Sequence, residues 1–209
     1  MMSRLYPYVL ADFRPHDLVW GMQSAQLSAQ APAWVHQCLE QGWPVVVRRD
    51  NRKPGLLPVG VRGMRRGQRW ADWMPTEQVK CCVSPEAIRQ LASTSSANQT
   101  LAAIASLFGN KTWGVTGSHA FEEVTGVKVT RATSDLDIVL RLPEPVAPEL
   151  AAHWLQQLMH LPMRADIQVD TGQGAFSLQD WVLHPDRVLL KTNASAVITG
   201  NPWQVGGAA

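Results

Sequence analysis

The sequence of residues 114–141, GVTGSHAFEEVTGVKVTRATSDLDIVLR, decides the fold. A Gly-Ser turn at Gly117 and Ser118 opens a short predicted helix, and the pair Asp135 and Asp137 follows on an apolar strand. Successive side chains of a strand point to opposite faces, so the two aspartates share one face and the leucine and isoleucine neighbours share the other. The stretch therefore predicts two carboxylates side by side on a buried sheet.

Such a carboxylate pair predicts a metal site beside an anion site. Two adjacent carboxylates repel each other unless a cation lies between them, and their hard oxygen ligands suit Mg²⁺ or Mn²⁺. Protein-bound Mg²⁺ is usually held by one or two carboxylates together with substrate phosphates. A small-residue turn such as Gly117-Ser118 at a helix N-terminus offers backbone N–H groups to an anion. Together these features predict a phosphoryl-transfer centre.

The Gly-Ser turn followed by Asp-Leu-Asp on a strand resembles the nucleotidyltransferase superfamily, whose members use such a pair to carry two metal ions. A third carboxylate comes from a neighbouring strand in that superfamily, and the sequence RADIQVD at residues 164–170 alternates with the required period of two. The resemblance implies that Asp135, Asp137 and Asp166 are the catalytic metal ligands, with Asp170 as the nearest rival of Asp166. An isolated Asp-x-Asp is common at strand ends, so this interpretation depends on the surrounding turn, helix and acidic strand.

A longer set of motifs is more specific. The segments RPHDLVW, WGVTGSHAFEEVTG, SDLDIVLR, ADIQVDTGQGAFSLQDW, RVLLKT and NPW together resemble malonate decarboxylase holo-acyl-carrier-protein synthase, the phosphoribosyl-dephospho-CoA transferase or MdcG family, over nearly the whole chain. The resemblance implies transfer of phosphoribosyl-dephospho-CoA from 2′-(5″-triphosphoribosyl)-3′-dephospho-CoA to a serine of the malonate decarboxylase acyl-carrier subunit. Pyrophosphate would leave, and Asp166 would complete the metal site or help to deprotonate the serine.

Three other functions remain open at this stage. The metal motif alone equally permits transfer of AMP or another nucleotide to a protein or small molecule. The citrate lyase counterpart uses the same donor with a different carrier. A degenerate nucleotidyltransferase could bind a nucleotide or a partner protein without catalysis, although three mutually repelling acids favour an enzyme.

Positive charge is concentrated in the first third of the chain. Eight of its 19 Lys and Arg residues lie between positions 48 and 69, namely Arg48, Arg49, Arg52, Lys53, Arg62, Arg65, Arg66 and Arg69. Such runs are often solvated or bind nucleic acid, but the family resemblance favours donor phosphates and an acidic carrier, not nucleic acid. We expect Arg62 and Arg65 to bind phosphate, because the strand and turn LPVGVRG would hold them in place. Lys191 ends another apolar strand and is a further candidate.

The composition agrees with a soluble enzyme but would not by itself identify one. The chain has 209 residues, of which 45% are hydrophobic and 17% charged, and its net charge is +2. This length can bury a proper core and lies between one and two domains. We expect no membrane span and no secretion signal. Three cysteines, an odd number, indicate reduced thiols in the cytoplasm.

The predicted fold class is α+β, in two parts. Residues 1–75 are predicted to form a small α+β domain that carries the basic run, and residues 76–209 a nucleotidyltransferase-like catalytic domain with a mixed sheet flanked by helices. The helices are predicted at 32–41, from Ser84-Pro85 onward, at 95–108 and from Pro148 to about 160. His16 and Asp17, adjacent in RPHD, are interpreted as a structural or substrate contact.

Overall fold

The computed structural model describes residues 13–51, 53–92 and 95–204, so Arg52 of the basic run lies outside the described residues. The strands are β1 (Leu18–Trp20), β2 (Val45–Val47), β3 (Leu56–Arg62), β4 (Arg69–Pro75), β5 (Cys81–Val83), β6 (Thr112–Val115), β7 (Leu136–Arg141), β8 (Ala165–Asp170), β9 (Gly174–Ser177), β10 (Val188–Thr192) and β11 (Ala196–Thr199). The helices are α1 (Ala33–Glu40), α2 (Ser95–Phe108), α3 (Gly117–Thr125), α4 (Pro148–Leu158) and α5 (Leu178–Leu183). The α+β class is confirmed.

The first sheet has five strands in the order β4-β3-β2-β1-β5, all paired antiparallel. Helix α1 covers one face of it, where Val35 and Cys38 pack among the buried valines of the sheet. This helix occupies the predicted region 32–41. Because β5 belongs to this sheet, the first sheet continues to Val83, beyond residue 75.

The second sheet has six strands in the order β11-β10-β9-β8-β7-β6. Strands β7 and β8 are parallel and are joined through α4, whereas the other pairs are antiparallel. The apolar side chains of β7 pack in one cluster with α2 and α4, where the rings of Phe108 and Trp154 lie 5.3 Å apart at a steep angle. The prediction of a mixed sheet flanked by helices is confirmed.

One predicted helix is wrong. The segment from Ser84 forms only a short 3-10 turn at Pro85–Ala87. Ile88 is already extended, and its carbonyl accepts a hydrogen bond from the backbone N–H of Val115 at 3.1 Å. The chain is therefore drawn out alongside β6 instead of continuing as a helix.

The other two helices lie where they are predicted. Helix α2 ends at Phe108, followed by Gly109 at φ 58°, as expected of a left-handed C-terminal glycine. In α4, Trp154 and Leu158 are buried, but Leu150 is 39% exposed, because its neighbour Ala151 takes the core-facing position in that turn.

A continuous core joins the two sheets. Leu18 of β1 and Val83 of β5 belong to the same hydrophobic cluster as the second sheet. Buried charges reinforce this seam: Asp170 of β8 pairs with Arg141 of β7 and, at 2.9 Å, with Arg49 from the first sheet's side.

Two further features of the described part of the chain concern its cysteines and its helices. Cys38, Cys81 and Cys82 are free. Within the ranges described, no helix combines the length and the apolar character needed to cross a membrane.

Candidate active site

The N-terminus of α3 lies directly against Asp137. The backbone N–H of Thr116, the residue before α3, donates to the carbonyl of Asp137 at 2.8 Å, which fixes the helix start beside β7. Gly117 has φ 64°, and a Cβ built on it would overlap Asp137 Oδ2 and lie 2.7 Å from its Cγ. Only glycine lets the helix start and the carboxylate approach so closely. The first N–H groups of α3 are unused within the helix and face a carboxylate-bearing strand.

Asp137 and Asp166 are direct neighbours across the parallel pair β7–β8. Their Cα atoms are register partners, so both side chains lie on one face of the sheet. Burial raises the pKa of Asp137, the carboxylates of Asp166 and Asp135 raise it further, and Arg62 and Arg66 lower it. Asp166 itself is exposed. The structure thus brings Asp137 and Asp166 together on one face, where the two acids repel each other in the absence of a cation.

Asp135 lies one residue before β7, outside the regular strand. Its side chain is 42% exposed and its nearest cation is Arg164, at 3.9 Å. The loop that carries it is held by Glu122 of α3, which accepts hydrogen bonds from Lys128 Nζ and from the backbone N–H groups of Val129 and Thr130. Burial would raise the pKa of Glu122, but these hydrogen bonds lower it to about 2.

Asp170, the rival of Asp166, has a structural environment. It is 6% exposed and is held between Arg49 and Arg141, and its Oδ1 accepts the backbone N–H of Gly172 at 2.9 Å. Its carboxylate oxygens are therefore already bonded within the protein. Register places it four residues along β8 from Asp166, about 13 Å away.

The donor set fits a metal ion that is completed by a substrate. Among residues 13–51, 53–92 and 95–204, no three His, Cys, Asp or Glu side chains converge closely enough to form a complete metal site. The adjacent pair Asp137 and Asp166 nevertheless matches the one or two carboxylates by which Mg²⁺ is usually held, the remaining ligands being phosphate oxygens and water. The raised pKa of Asp137 shows that a positive charge would be favourable at this point.

Arginines of the first sheet face this acid pair. Arg62 and Arg69 are register partners at the end of the β3–β4 hairpin. The pKa of Arg62 is lowered by burial and by Arg69, while Asp137 and Glu122 act in the opposite direction. The Nε atom of Arg62 is buried and has no hydrogen-bond partner among the described residues. This guanidinium is available for an anion.

Of the two arginines predicted from the turn LPVGVRG, only Arg62 points to the acid pair. Arg65 lies exposed at the hairpin tip, where its backbone N–H donates to Gln68 Oε1. Arg66 and Arg69 act on Asp137 instead. The sequence pattern alone did not single out Arg69, because it does not give the register of the hairpin. The six-residue loop 63–68 between two β-rich runs could have indicated that Arg62 and Arg69 lie opposite each other.

Lys191 lies on the acid face but at a distance. It pairs with Ala175 of β9, which pairs with Asp170 of β8. Register therefore places Lys191 level with Asp170, two strands away and about 13 Å along the sheet from Asp166. Ser118, by contrast, lies in the first turn of α3 next to Gly117 and is half-buried.

A cavity of about 360 Å³ lies between the first sheet and α3. It is lined by His16, Leu18, Val46, Arg48, Gly60, Val61, Arg62, Arg69, Trp70, Ala71, Gly117, Ala120 and Phe121. Gly117 connects it to the acid pair, and the Arg62 guanidinium carbon lies 5.5 Å from the ring centre of Phe121. Three arginines and no carboxylate line this cavity within the described chain, so it suits an anionic ligand with an apolar part.

His16 forms part of the cavity wall, which agrees with its interpretation as a contact residue. It has a left-handed backbone at φ 79° and contacts the side chain of Gln168 of β8. Burial, Arg141 and Arg49 lower its pKa to about 4, so the imidazole is neutral at pH 7. Its neighbour Asp17 is buried, and desolvation raises its pKa to about 6.

Comparison with known proteins now adds the family. The family model described as the phosphoribosyl-dephospho-CoA transferase MdcG N-terminal domain matches residues 14–85, and the model of the MdcG C-terminal domain matches residues 84–202. No solved structure matches the chain.

Curated relatives match over almost their whole length. A phosphoribosyl-dephospho-CoA transferase of Klebsiella pneumoniae (strain 342) is 42% identical over 197 residues, 91% of this chain and 96% of the relative. Those of Azotobacter vinelandii and Pseudomonas aeruginosa are 40% and 39% identical, each over 91% of this chain and 94% of the relative. With both halves matched and relatives this similar from end to end, the chain belongs to the phosphoribosyl-dephospho-CoA transferase MdcG family and is a transferase.

Proposed function

We propose that this enzyme transfers the phosphoribosyl-dephospho-CoA group from 2′-(5″-triphosphoribosyl)-3′-dephospho-CoA to a serine of the malonate decarboxylase acyl-carrier subunit and releases pyrophosphate. The names of the relatives, phosphoribosyl-dephospho-CoA transferases, support the transferred group. The observation that carries the reaction type is the contact of Gly117 with Asp137 beside Asp166, at the mouth of an arginine-lined cavity. The free cysteines are in keeping with a cytoplasmic enzyme.

In this mechanism Asp137 and Asp166, with Asp135 adjoining, would hold Mg²⁺ or Mn²⁺, which when bound supplies charge neutralisation at the triphosphate. Backbone N–H groups at Gly117 and Ser118 bind the departing pyrophosphate with the positive end of the α3 dipole. Arg62 and Arg69 lie across the cleft and neutralise the outer phosphates.

The transfer itself is a single displacement at phosphorus. The serine oxygen forms a bond to the phosphorus nearest the ribose, and the bond from that phosphorus to the pyrophosphate oxygen breaks. Asp166 is exposed on the acid face and can accept the serine proton. The protein forms no covalent bond of its own, so positioning and electrostatic stabilisation supply most of the acceleration.

The test is intact-mass spectrometry of the carrier subunit after incubation with the enzyme, Mg²⁺ and the triphosphoribosyl donor, with ATP in a parallel reaction. We expect a mass gain equal to the phosphoribosyl-dephospho-CoA group, abolished by a chelator. The Asp137→Asn variant should lose at least about 100-fold in rate. Asp186→Asn, an exposed aspartate outside the cleft, is the matched control and should retain full activity.

The same assay separates the alternatives. A gain of AMP on the carrier in the ATP reaction would favour general nucleotidyl transfer, and a gain only on a citrate lyase carrier would favour that counterpart. Full transfer by Asp137→Asn would contradict the proposed site. No gain under any condition, together with ligand binding, would favour a binding protein without catalysis.

A further inference from the structure

The floor of the cavity is a row of apolar residues in register across four strands. Leu18 pairs with Val46, Val46 with Gly60, and Gly60 with Ala71. Register partners share a face, so these four residues form one flat apolar surface. A Cβ on Gly60 would lie 3.1 Å from Arg48 Cδ, so the absence of a side chain here leaves room for the aliphatic part of Arg48 to lie against the floor. Opposite the floor stand Ala120 and Phe121 of α3, which makes a slot with two apolar walls.

Positive charge stands at both ends of this floor. Arg62 and Arg69 lie two residues from Gly60 and Ala71 along their strands, at the end that faces the acid pair. Arg48 lies two residues from Val46 at the opposite end, where its backbone N–H donates to the Pro58 carbonyl. Arg62 and Pro58 are four residues apart on β3, so the backbone positions at the two ends are about 13 Å apart.

A neutral polar group accompanies Arg48. His16 donates its backbone N–H to the carbonyl of Val47, which places it beside Arg48 at the same end. Its neutral imidazole can contact a hydroxyl group without adding charge. Arg48 itself contacts Asp50 only at 3.4 Å with 34% of its side chain exposed, so the guanidinium is free to turn to a stronger anion.

We infer that this slot binds the adenosine part of a nucleotide that carries phosphates at two ends, with Arg48 at the 5′-diphosphate and Arg62 and Arg69 at the reacting triphosphate. The inference rests on the proposed function, whose donor has these two anionic groups on either side of a purine and two sugars. The apolar floor gives the purine a flat surface to pack against.

The open side of the slot leaves room for the pantetheine arm of the donor. Ala71 and Arg69 of β4 are exposed, whereas Leu18 at the other end of the row is buried. Strand β4 is the edge of the first sheet. The ligand therefore enters along β4, and the pantetheine arm of a dephospho-CoA group extends from this edge into solvent.

Two fragments of the donor test the two ends separately, by calorimetric titration of the full-length protein in EDTA. The fragment 3′-dephospho-CoA has the adenosine 5′-diphosphate but no triphosphate, and inorganic tripolyphosphate has only the other charge. We expect Arg48→Gln to weaken dephospho-CoA binding about 10-fold, the loss of one charged hydrogen bond, and to leave tripolyphosphate unchanged. Arg62→Gln should weaken tripolyphosphate most.

Filling the slot tests the apolar part. Ala71→Leu places a larger side chain on the exposed end of the floor and should weaken dephospho-CoA about 10-fold or more. Ala152→Leu, on an exposed position of α4, is the size-matched control and should bind as the parent does. Thermal unfolding of each variant shows that it is folded.

Failure of this inference is distinct from failure of the proposed function. The slot assignment is overturned if dephospho-CoA does not bind, even where Asp137-dependent transfer is intact. It is also overturned if Ala71→Leu and Arg48→Gln bind dephospho-CoA as tightly as the parent does. Equal affinity for adenosine and dephospho-CoA overturns the role of Arg48. Binding that follows the predicted pattern in an enzyme that transfers nothing supports the slot and counts against the proposed function alone.

Discussion

Replacement of Gly117 by alanine tests whether the approach of α3 to Asp137 matters for activity. The new Cβ would lie 2.7 Å from Asp137 Cγ, whereas an unstrained carbon–carbon contact is about 3.5–4.0 Å. The carboxylate must therefore retreat by about 1 Å. A misplacement of that size at a reacting group costs about 100-fold in rate, equivalent to about 2.7 kcal/mol of transition-state stabilisation.

The same substitution also strains the backbone, and Gly126 at the other end of α3 provides the control. Gly117 and Gly126 have φ of 64° and 70°, so alanine costs about 1–2 kcal/mol of folding free energy at either position. A Cβ on Gly126 meets nothing within 4 Å. Urea unfolding should therefore show similar losses for the two variants, because the Asp137 side chain can move aside.

The activities of the two variants should differ. By the mass-spectrometric transfer assay, Gly117→Ala should be about 100-fold slower than Gly126→Ala, and Gly126→Ala should match the parent under conditions where both are folded. Equal rates for the two variants would refute the argument that the position of Asp137 relative to the helix start controls transfer.

Two further predictions concern the acids of β8 and the cavity histidine. Asp170→Asn should lower the free energy of unfolding by about 3–5 kcal/mol, because it leaves Arg49 and Arg141 without their buried counter-charge. Asp166→Asn should change the free energy of unfolding by less than about 0.5 kcal/mol and yet slow transfer. If urea unfolding and the transfer assay gave the reverse pattern, the roles of the two aspartates would be exchanged. For His16, whose pKa falls to about 4 in the fold, the unfolded chain binds a proton below about pH 6.5 that the folded chain does not, so the His16 contribution to stability should decrease from pH 6.5 to 4, against the opposite contribution of Asp17. In His16→Asn, which tolerates the left-handed backbone, this part of the pH dependence should be absent from urea unfolding between pH 4 and 7, and an unchanged slope would contradict the assignment.

The parts of the site that were predicted from sequence are those encoded locally. The period-two pattern around Asp137 and around Asp166 identifies two strands and the faces of their acids, and the glycine turn identifies the start of α3. That these strands are neighbours does not follow from their patterns alone, and it was reached through the family resemblance. The pairing of Asp137 with Asp166 is what the structure adds.

The cavity could not be predicted, because its lining comes from pairings that are distant in sequence. Leu18, Gly60 and Ala71 meet only through the register of four antiparallel strands, and no single one of them carries a chemical signal. The importance of Arg69 could not be read from the sequence for the same reason, since a hairpin's register decides which arginine lies opposite Arg62. The absent helix after Ser84 shows the reverse effect, in which a good local start signal is overridden by a backbone hydrogen bond to Val115.

The continuous core between the sheets also determines how substrates can come and go. Because Leu18 and Val83 are packed into the same cluster as the second sheet, and Asp170 and Arg49 form a buried ion pair across the seam, the two halves cannot swing apart without breaking a core. Access to the cleft must instead come from the movement of side chains and of the β3–β4 hairpin at the free edge. Turnover in this enzyme should accordingly be sensitive to the stiffness of loop 63–68. Substitutions in this loop, and not in an interdomain hinge, would then alter the rate of product release without touching a reacting group.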